Sequence, residues 1–274
     1  MKTHLDCIPC FQRQALEAAR MITNDEGKQE EVLRDVMGTL QKLDWHEKQL
    51  IIAKKVHKRV ADAFNDPDPY KRVKKESNDA AMKLYPQLEK MVKESRNSLL
   101  TAIKLSIAGN IIDFGPASEF DVNESIEKAL QTKIDGITYS SFLKDLKNSR
   151  KVLYFGDNAG EIVFDKLLLN LLSVENTKIR FVVKATPMLN DATLEDAHYV
   201  QLDKIPGVEV VEMETGENDS IMERENVDMI LSKGQGNYEA LSEEPGIYFL
   251  LLAKCPIIAK DLKAEVGDVI FRRS

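Results

Sequence analysis

The sequence is poor in cysteine and has no long apolar stretch. Three cysteines in 274 residues do not make the disulfide framework of a small secreted protein. The first ten residues, MKTHLDCIPC, contain Asp6 and lack the apolar core of a signal peptide. The most apolar run, residues 247–253, is far shorter than the roughly 20 residues that span a bilayer. We therefore expect a soluble, cytoplasmic protein with no membrane partner.

The sequence also lacks an excess of basic residues. Its 38 Lys and Arg face 45 Asp and Glu, for a formal net charge of −7. Sequence-independent binding of nucleic acid depends on many cations that neutralise phosphates, so we expect no nucleic-acid partner. The dense basic run at residues 71–75 is flanked by acids and predicts a solvated helix face. The composition leaves the oligomeric state open.

Two halves of the chain have different patterns. In residues 1–148 apolar side chains recur at helical spacing, as at Phe11, Ala15 and Ala18, and we expect a helical domain that includes one long helix over 88–112. In residues 149–274 short β-branched or apolar runs recur about every 20–30 residues. The predicted strands are 152–155, 179–183, 208–211, 227–231 and 257–259.

Strands that alternate with helices indicate an α/β fold with a mostly parallel sheet. We expect a helical N-terminal domain packed on a C-terminal α/β/α sandwich, with the active site at their interface. Such sheets bind ligands beyond the carboxyl ends of their strands.

The first predicted strand runs into Gly156-Asp157-Asn158-Ala159-Gly160-Glu161. The segment lacks the GxGxxG and GxxxxGK[ST] patterns of nucleotide-binding loops. Asp157 and Asn158 offer adjacent oxygen atoms, which suit Mg²⁺ or Mn²⁺. Alternatively, either side chain only caps the following helix.

Two further strands also end in polar residues. The second leads to Lys184 and then to Asp191, a third oxygen ligand or a helix cap. The fourth ends at Lys233, Gly234 and Asn237, where backbone N–H groups and an ammonium could hold an oxyanion. The alternative for this last segment is an ordinary glycine loop.

Asn110 and Asp113 are set three residues apart among apolar neighbours, on one face of a predicted helix. They either line a substrate pocket or belong to a structural helix end.

The cysteines point to different chemistry. Cys7 and Cys10 form a CxxC motif, and Cys255 lies far along the chain. Such residues bind zinc or an iron–sulfur cluster, or carry out thiol–disulfide chemistry, and they make a possible second metal or redox site. No second CxxC exists in the sequence. His46, His57 and His198 are expected at the surface or at helix ends.

Taken together, these motifs resemble the metal-dependent damage-control phosphatases, a family long known only as a domain of unknown function. The resemblance covers nearly the whole chain and extends to the prokaryotic-type subgroup with an N-terminal CxxC. The matching segments are Cys7 to Cys10, Gly109-Asn110 with Asp113, Gly156 to Glu161, Lys184 with Pro187, Asn190-Asp191, Lys233-Gly234 with Asn237-Tyr238-Glu239, and Ala253-Lys254-Cys255.

The resemblance implies a phosphatase that uses manganese, cobalt, nickel or magnesium on phosphate esters of sugars and related, possibly damaged, metabolites. It implies Asp157, Asn158 and Asp191 as metal ligands. The remaining implied roles are catalysis by Asp157, Asp113 and Lys233, and substrate binding by Asn110, Asp113, Lys184, Lys233, Gly234 and Asn237.

We expect metal-assisted phosphoryl transfer, with either water or a carboxylate such as Asp113 or Asp157 as the nucleophile. No Ser/His or Cys/His pair follows the predicted strands, which disfavours a serine or cysteine nucleophile. Two alternatives stay open at this point: an adenosyl-cofactor methyltransferase, and a zinc- or iron–sulfur-binding interaction module.

Overall fold

The structure is a computed structural model that describes residues 1–111, 119–173, 177–213 and 226–274. Its backbone contacts divide the chain into two compact units. One comprises Met1–Val73 with Pro187–Asn190, and the other Lys74–Thr186 with Asp191–Ser274. The helices in residues 74–148 therefore group with the sheet. The predicted boundary at residue 148 marks where helices give way to strands, and as a domain boundary it stays a prediction.

The first unit is built on helices whose apolar residues follow the helical period. These are α1 (Cys7–Ile22), α2 (Glu26–Lys42) and α3 (Gln49–Phe64). Asp25 caps α2 by accepting from the Gly27 N–H at 2.9 Å. Helix α4 (Lys71–Glu94) begins in this unit and continues into the second.

The second unit continues with α5 (Ser98–Ala108), a 3₁₀ turn (Gly109–Ile111), α6 (Glu119–Gln131) and α7 (Gly136–Asn148). The predicted single helix over 88–112 is wrong, because α4 ends at Glu94 and a separate helix, α5, begins at Ser98. There the Asn97 side chain accepts from the Leu100 N–H at 3.1 Å and starts a new helix.

The described part of the chain then forms a six-stranded sheet, with β1 (Lys151–Phe155), β2 (Lys178–Lys184), β3 (Val208–Met213), β4 (Met229–Lys233), β5 (Ile247–Leu252) and β6 (Val269–Arg273). The strand order is β3-β2-β1-β4-β5-β6, and of these six described strands only β6 runs antiparallel to its neighbour. The helices that accompany the strands are α8 (Glu161–Leu172), α9 (Leu194–Tyr199), α10 (Gly234–Leu241) and α11 (Pro256–Leu262). A 3₁₀ turn (Leu202–Lys204) follows α9.

The mostly parallel α/β prediction is confirmed, with several errors in the positions of the later strands. The predicted strand at 257–259 is wrong, because these residues lie in α11, which Pro256 opens at its first turn. Strands β5 and β6 were not predicted. The predicted fourth strand, 227–231, begins and ends two residues before β4 does.

Both faces of the sheet are covered. Consecutive residues of β1 and β5 are buried, as expected where helices pack on each side. On one side α5 packs on α8, and a side chain at Gly109 would meet Phe164 Cβ at 2.9 Å. This close approach brings Asn110 to the start of α8. In the described ranges no helix is long and apolar enough to cross a bilayer.

His57 lies inside the first unit, so its predicted surface position is wrong. It is 4% exposed, and its Nδ1 has no hydrogen-bond partner among the residues that the structure describes. Burial lowers the pKa of His57 from 6.5 to about 4. The folded protein thus resists protonation at a pH where the unfolded chain accepts it.

We expect His57 to make the protein sensitive to acid. Its contribution to stability is complete above pH 6.5 and is lost as the pH falls toward 4. At pH 5 the loss is about 2 kcal/mol, at about 1.4 kcal/mol per pKa unit. Urea unfolding at pH 7 and pH 5 should show that His57→Gln removes this component and that His198→Gln, at an exposed site, keeps it. An unchanged pH dependence in His57→Gln would contradict the assignment.

Candidate active site

Polar residues meet where the strand order reverses. The chain leaves β1 toward β2 and β3, and β4 returns to the other side of β1. Asp157 and Asn158 follow β1, Lys184 ends β2, and Gly234 follows β4. A parallel sheet opens a crevice at such a reversal, beyond the carboxyl ends of its strands. All these residues belong to the second unit.

The three predicted metal ligands lie on neighbouring stretches of backbone. Asn158 and Asp191 pair in an isolated antiparallel bridge, and the Ala192 N–H donates to the Asp157 carbonyl at 2.8 Å. Asn158 and Asp191 are buried, whereas Asp157 is half-buried. The turns after β1 and β2 therefore bring a carboxylate, an amide and a second carboxylate to one edge of the sheet.

Two amides hold the Asp157 carboxylate. Its Oδ2 accepts from Asn110 Nδ2 at 3.1 Å and from Asn158 Nδ2 at 2.9 Å. The same two nitrogens donate to Glu161 Oε2, at 2.6 Å from Asn110 and 3.2 Å from Asn158. Asn110 thus contacts both Asp157 and Glu161, and its role in substrate binding stays a prediction.

Lys233 is fully buried below this group rather than open to the crevice. Its Nζ donates to Asp165 Oδ1 at 2.7 Å and to the Ser106 carbonyl at 2.8 Å. It also lies 2.6 Å from Glu161 Oε1, as an ion pair rather than an aligned hydrogen bond. Three protein oxygens thus lie within 2.8 Å of the Lys233 ammonium, which has three hydrogens. This arrangement disfavours a direct contact of Lys233 with a phosphate, and the substrate-binding role of Lys233 stays a prediction.

The charges of this buried group are mutually dependent. Burial alone lowers the pKa of Lys233, but Asp165 and Glu161 outweigh it and raise that pKa above its ordinary value. Burial raises the pKa of Asp165, and Lys233 opposes this shift. Lys233 consequently stays charged, as the shared counter-ion of two carboxyl groups.

Asn237 and Lys184 lie beside each other at the same edge. Asn237 Nδ2 donates to the Gly156 carbonyl at 3.0 Å and to the Lys233 carbonyl at 2.8 Å, which joins the ends of β1 and β4. Its Oδ1 accepts from Lys184 Nζ at 3.1 Å. Lys184 is half-buried as a residue, and its ammonium lies beside Asn237 at the end of β2.

Helix α4 fixes both turns that carry the predicted ligands. Asn78 Oδ1 accepts from the Gly160 N–H at 2.7 Å, and its Nδ2 donates to Asp196 Oδ1 at 3.0 Å. Lys74, one helical turn earlier, pairs with Asp196 Oδ2 at 3.1 Å and is 2% exposed. The predicted solvated face at residues 71–75 is therefore wrong for Lys74.

Sequence reasoning missed Glu161, Asp165 and Asn78 as functional neighbours. A signal for two of them was present, because Glu161 and Asp165 are four residues apart on a mostly apolar helix. Such a pair lies on one face and needs a buried partner. Asn78 has no comparable signal, since its partners are distant in sequence.

The other predicted residues lie elsewhere. Asp113 is outside the described residues. Cys7 and Cys10 lie in the first turns of α1 in the first unit, and Cys255 precedes α11 in the second. Across the residues with described positions, no three His, Cys, Asp or Glu side chains are grouped to hold a metal ion. The predicted metal ligands Asp157, Asn158 and Asp191 include an asparagine, so they are not a group of this type.

Gly234 keeps room for Asp157. Its φ of +74° lies in the left-handed region, and a Cβ there would collide with the Asp157 carboxylate. Only glycine avoids both problems at this position.

We expect Gly234→Ala to destabilise the protein by at least about 1–3 kcal/mol, from backbone strain together with the collision. Gly236→Ala is the matched control, because it lies two residues along α10 and a Cβ there meets nothing within 4 Å. The control should be neutral or up to about 1 kcal/mol more stable, since alanine favours helix. Denaturant unfolding of both variants measures their free energies of unfolding. Equal stability of the two variants would contradict the described conformation of the turn at Gly234.

Comparisons with known proteins identify the family of the chain. Residues 3–270 match the family model of the damage-control phosphatase ARMT1-like domain. An uncharacterized protein of Methanocaldococcus jannaschii is 34% identical over all of this chain and 96% of its own length. A damage-control phosphatase of Archaeoglobus fulgidus is 32% identical over 98% of each chain. The crystal structure of a DUF89 family protein from Pyrococcus horikoshii superposes with a TM-score of 0.84 at 28% identity, covering 100% of this chain and 99% of that one. The chain therefore belongs to the damage-control phosphatase family.

Proposed function

We propose that this protein hydrolyses phosphate monoesters of sugars or related small metabolites, with a divalent metal ion held by Asp157, Asn158 and Asp191. The observation that carries the proposal is the pairing of Asn158 with Asp191 next to Asp157, at the reversal of the strand order. Oxygen ligands of this kind suit manganese, magnesium, cobalt or nickel.

The described residues fit such an ion in two respects. The set offers only oxygen donors that are hard ligands, from two carboxylates and one amide. In addition, Gly234 leaves open the space beside Asp157 that any side chain would fill. When bound, the ion would neutralise negative charge on the phosphate and on its transition state.

The remaining contacts suggest roles for the residues around this set. We assign binding of the phosphate to Lys184, whose ammonium lies 3.1 Å from Asn237 Oδ1, and to the N–H groups at the start of α10. Asp157 Oδ2 already accepts two amide hydrogens, which favours a holding role for this carboxylate and water as the attacking group. Asp113 stays a predicted catalytic and substrate-binding residue.

The experiment is hydrolysis of p-nitrophenyl phosphate by metal-stripped protein, with Mg²⁺, Mn²⁺, Co²⁺ or Ni²⁺ added back. We expect metal-dependent release that falls at least about 100-fold in Asp157→Ala and Asp191→Ala, because each removes charge stabilisation worth several kcal/mol. Asp62→Ala, on the exposed end of α3, is the matched control and should keep wild-type activity.

Cys7→Ser separates this proposal from the zinc or iron–sulfur alternative. The phosphatase proposal predicts that Cys7→Ser keeps metal-dependent activity. Loss of activity in Cys7→Ser with retention in both aspartate variants would contradict the proposal, as would folded wild-type protein that releases no phosphate with any of the four metals.

A further inference from the structure

The side chains of Glu161, Asp165 and Lys233 form a buried ion cluster directly below the proposed metal ligands. All three have no exposure to solvent. Ser106 Oγ and Tyr154 OH donate to Asp165 Oδ1 at 2.7 and 2.9 Å. Burying ions costs several kcal/mol each, which close pairing and added hydrogen bonds must offset. Burial of this cluster therefore carries a large desolvation cost. Its member Glu161 contacts the residues of the proposed metal site.

That contact fixes how the Asn158 amide is turned. Asn158 Nδ2 has two hydrogens, and its two acceptors are the carboxylates of Asp157 and Glu161. A carboxylate accepts and does not donate, so a reversed amide would set its oxygen against two negative groups. The planar amide consequently turns its Oδ1 away from both carboxylates.

Glu161 is the centre of this arrangement. Its Oε2 accepts from both Asn110 and Asn158, and its Oε1 faces Lys233 at 2.6 Å. Asp165 and the Ser106 carbonyl hold Lys233 from the other side. Lys233 is therefore linked to Asn110 and Asn158 indirectly, through its contact with Glu161.

We propose that Glu161 is a positioning residue that orients the Asn158 oxygen toward the metal ion, and that Lys233 holds Glu161 in place rather than binding the substrate phosphate. The inference rests on the proposed metal site. It assigns to two residues of the chain an indirect role, which differs from the role in substrate binding predicted for Lys233.

The test compares Glu161→Gln with Asp165→Asn. Both replace a buried carboxylate of the same cluster by an amide of equal size, but Asp165 contacts neither Asn110 nor Asn158 in the described hydrogen bonds. We measure the Kd for Mn²⁺ by electron paramagnetic resonance without substrate, the KM for p-nitrophenyl phosphate at saturating Mn²⁺, and the Tm of each variant.

We expect Glu161→Gln to weaken Mn²⁺ binding about 10–100-fold, as loss of a group that orients a ligand does. Its KM should change by less than about threefold. Asp165→Asn should bind Mn²⁺ within about threefold of wild type even if its Tm falls, because Lys233 keeps its contacts with the Ser106 carbonyl and with Glu161. Should Glu161→Gln not fold, Glu161→Asp keeps the charge, withdraws the carboxylate by one methylene, and should also weaken Mn²⁺ binding.

Wild-type Mn²⁺ affinity in the Glu161 variants, or an equal loss in Asp165→Asn, would overturn the positioning role. So would a raised KM with unchanged Mn²⁺ affinity. A wild-type protein whose Mn²⁺ binding is absent, or is unaltered by Asp157→Ala, would instead overturn the proposed metal site. The two failures are thus distinguishable.

Discussion

The ion pair between Lys233 and Glu161 is the interaction on which the other contacts at this edge of the sheet depend. Both groups are fully buried, and their 2.6 Å contact offsets a large desolvation cost. Burial also raises the pKa of Asp165, and Lys233 opposes this shift. Glu161 Oε2 accepts from Asn110 and Asn158, and these amides in turn hold Asp157.

The fold places the members of this group from distant parts of the chain. Asn110 follows α5, Asp157 and Glu161 flank the turn after β1, and Lys233 ends β4. Their meeting depends on the reversal of the strand order and on close packing of α5 against α8. Helix α4 adds Asn78, which ties the turn after β1 to the start of α9. A small set of long-range hydrogen bonds therefore defines the site.

Much of this architecture was predictable from sequence, for physical reasons. The strands β1, β2 and β3 are β-branched or apolar runs flanked by polar turns, and period and spacing identify them. The run at 257–259 has similar composition, but Pro256 favours the first turn of a helix, and these residues form a helix that begins at Pro256. The break between α4 and α5 depends on one cap at Asn97, which a periodicity search does not weigh.

The convergence of the three predicted metal ligands was predictable from the sequence, but the surroundings of other polar residues were not. Asp157, Asn158 and Asp191 follow strands, and strand ends converge in a parallel sheet. The burial of Lys233, His57 and Lys74 could not be predicted in the same way, because it depends on partners that folding brings from elsewhere. A lysine after a strand has the same local pattern whether it faces a ligand or a buried carboxylate.

The most direct test of this account is anomalous diffraction from crystals of the wild-type protein soaked in Mn²⁺. The account predicts a peak about 2–2.5 Å from oxygens of Asp157 and Asp191 and from Asn158 Oδ1, with the Asn158 nitrogen still directed to Glu161. A peak at the cysteines alone, or none beside Asp157 in crystals of active protein, would contradict it.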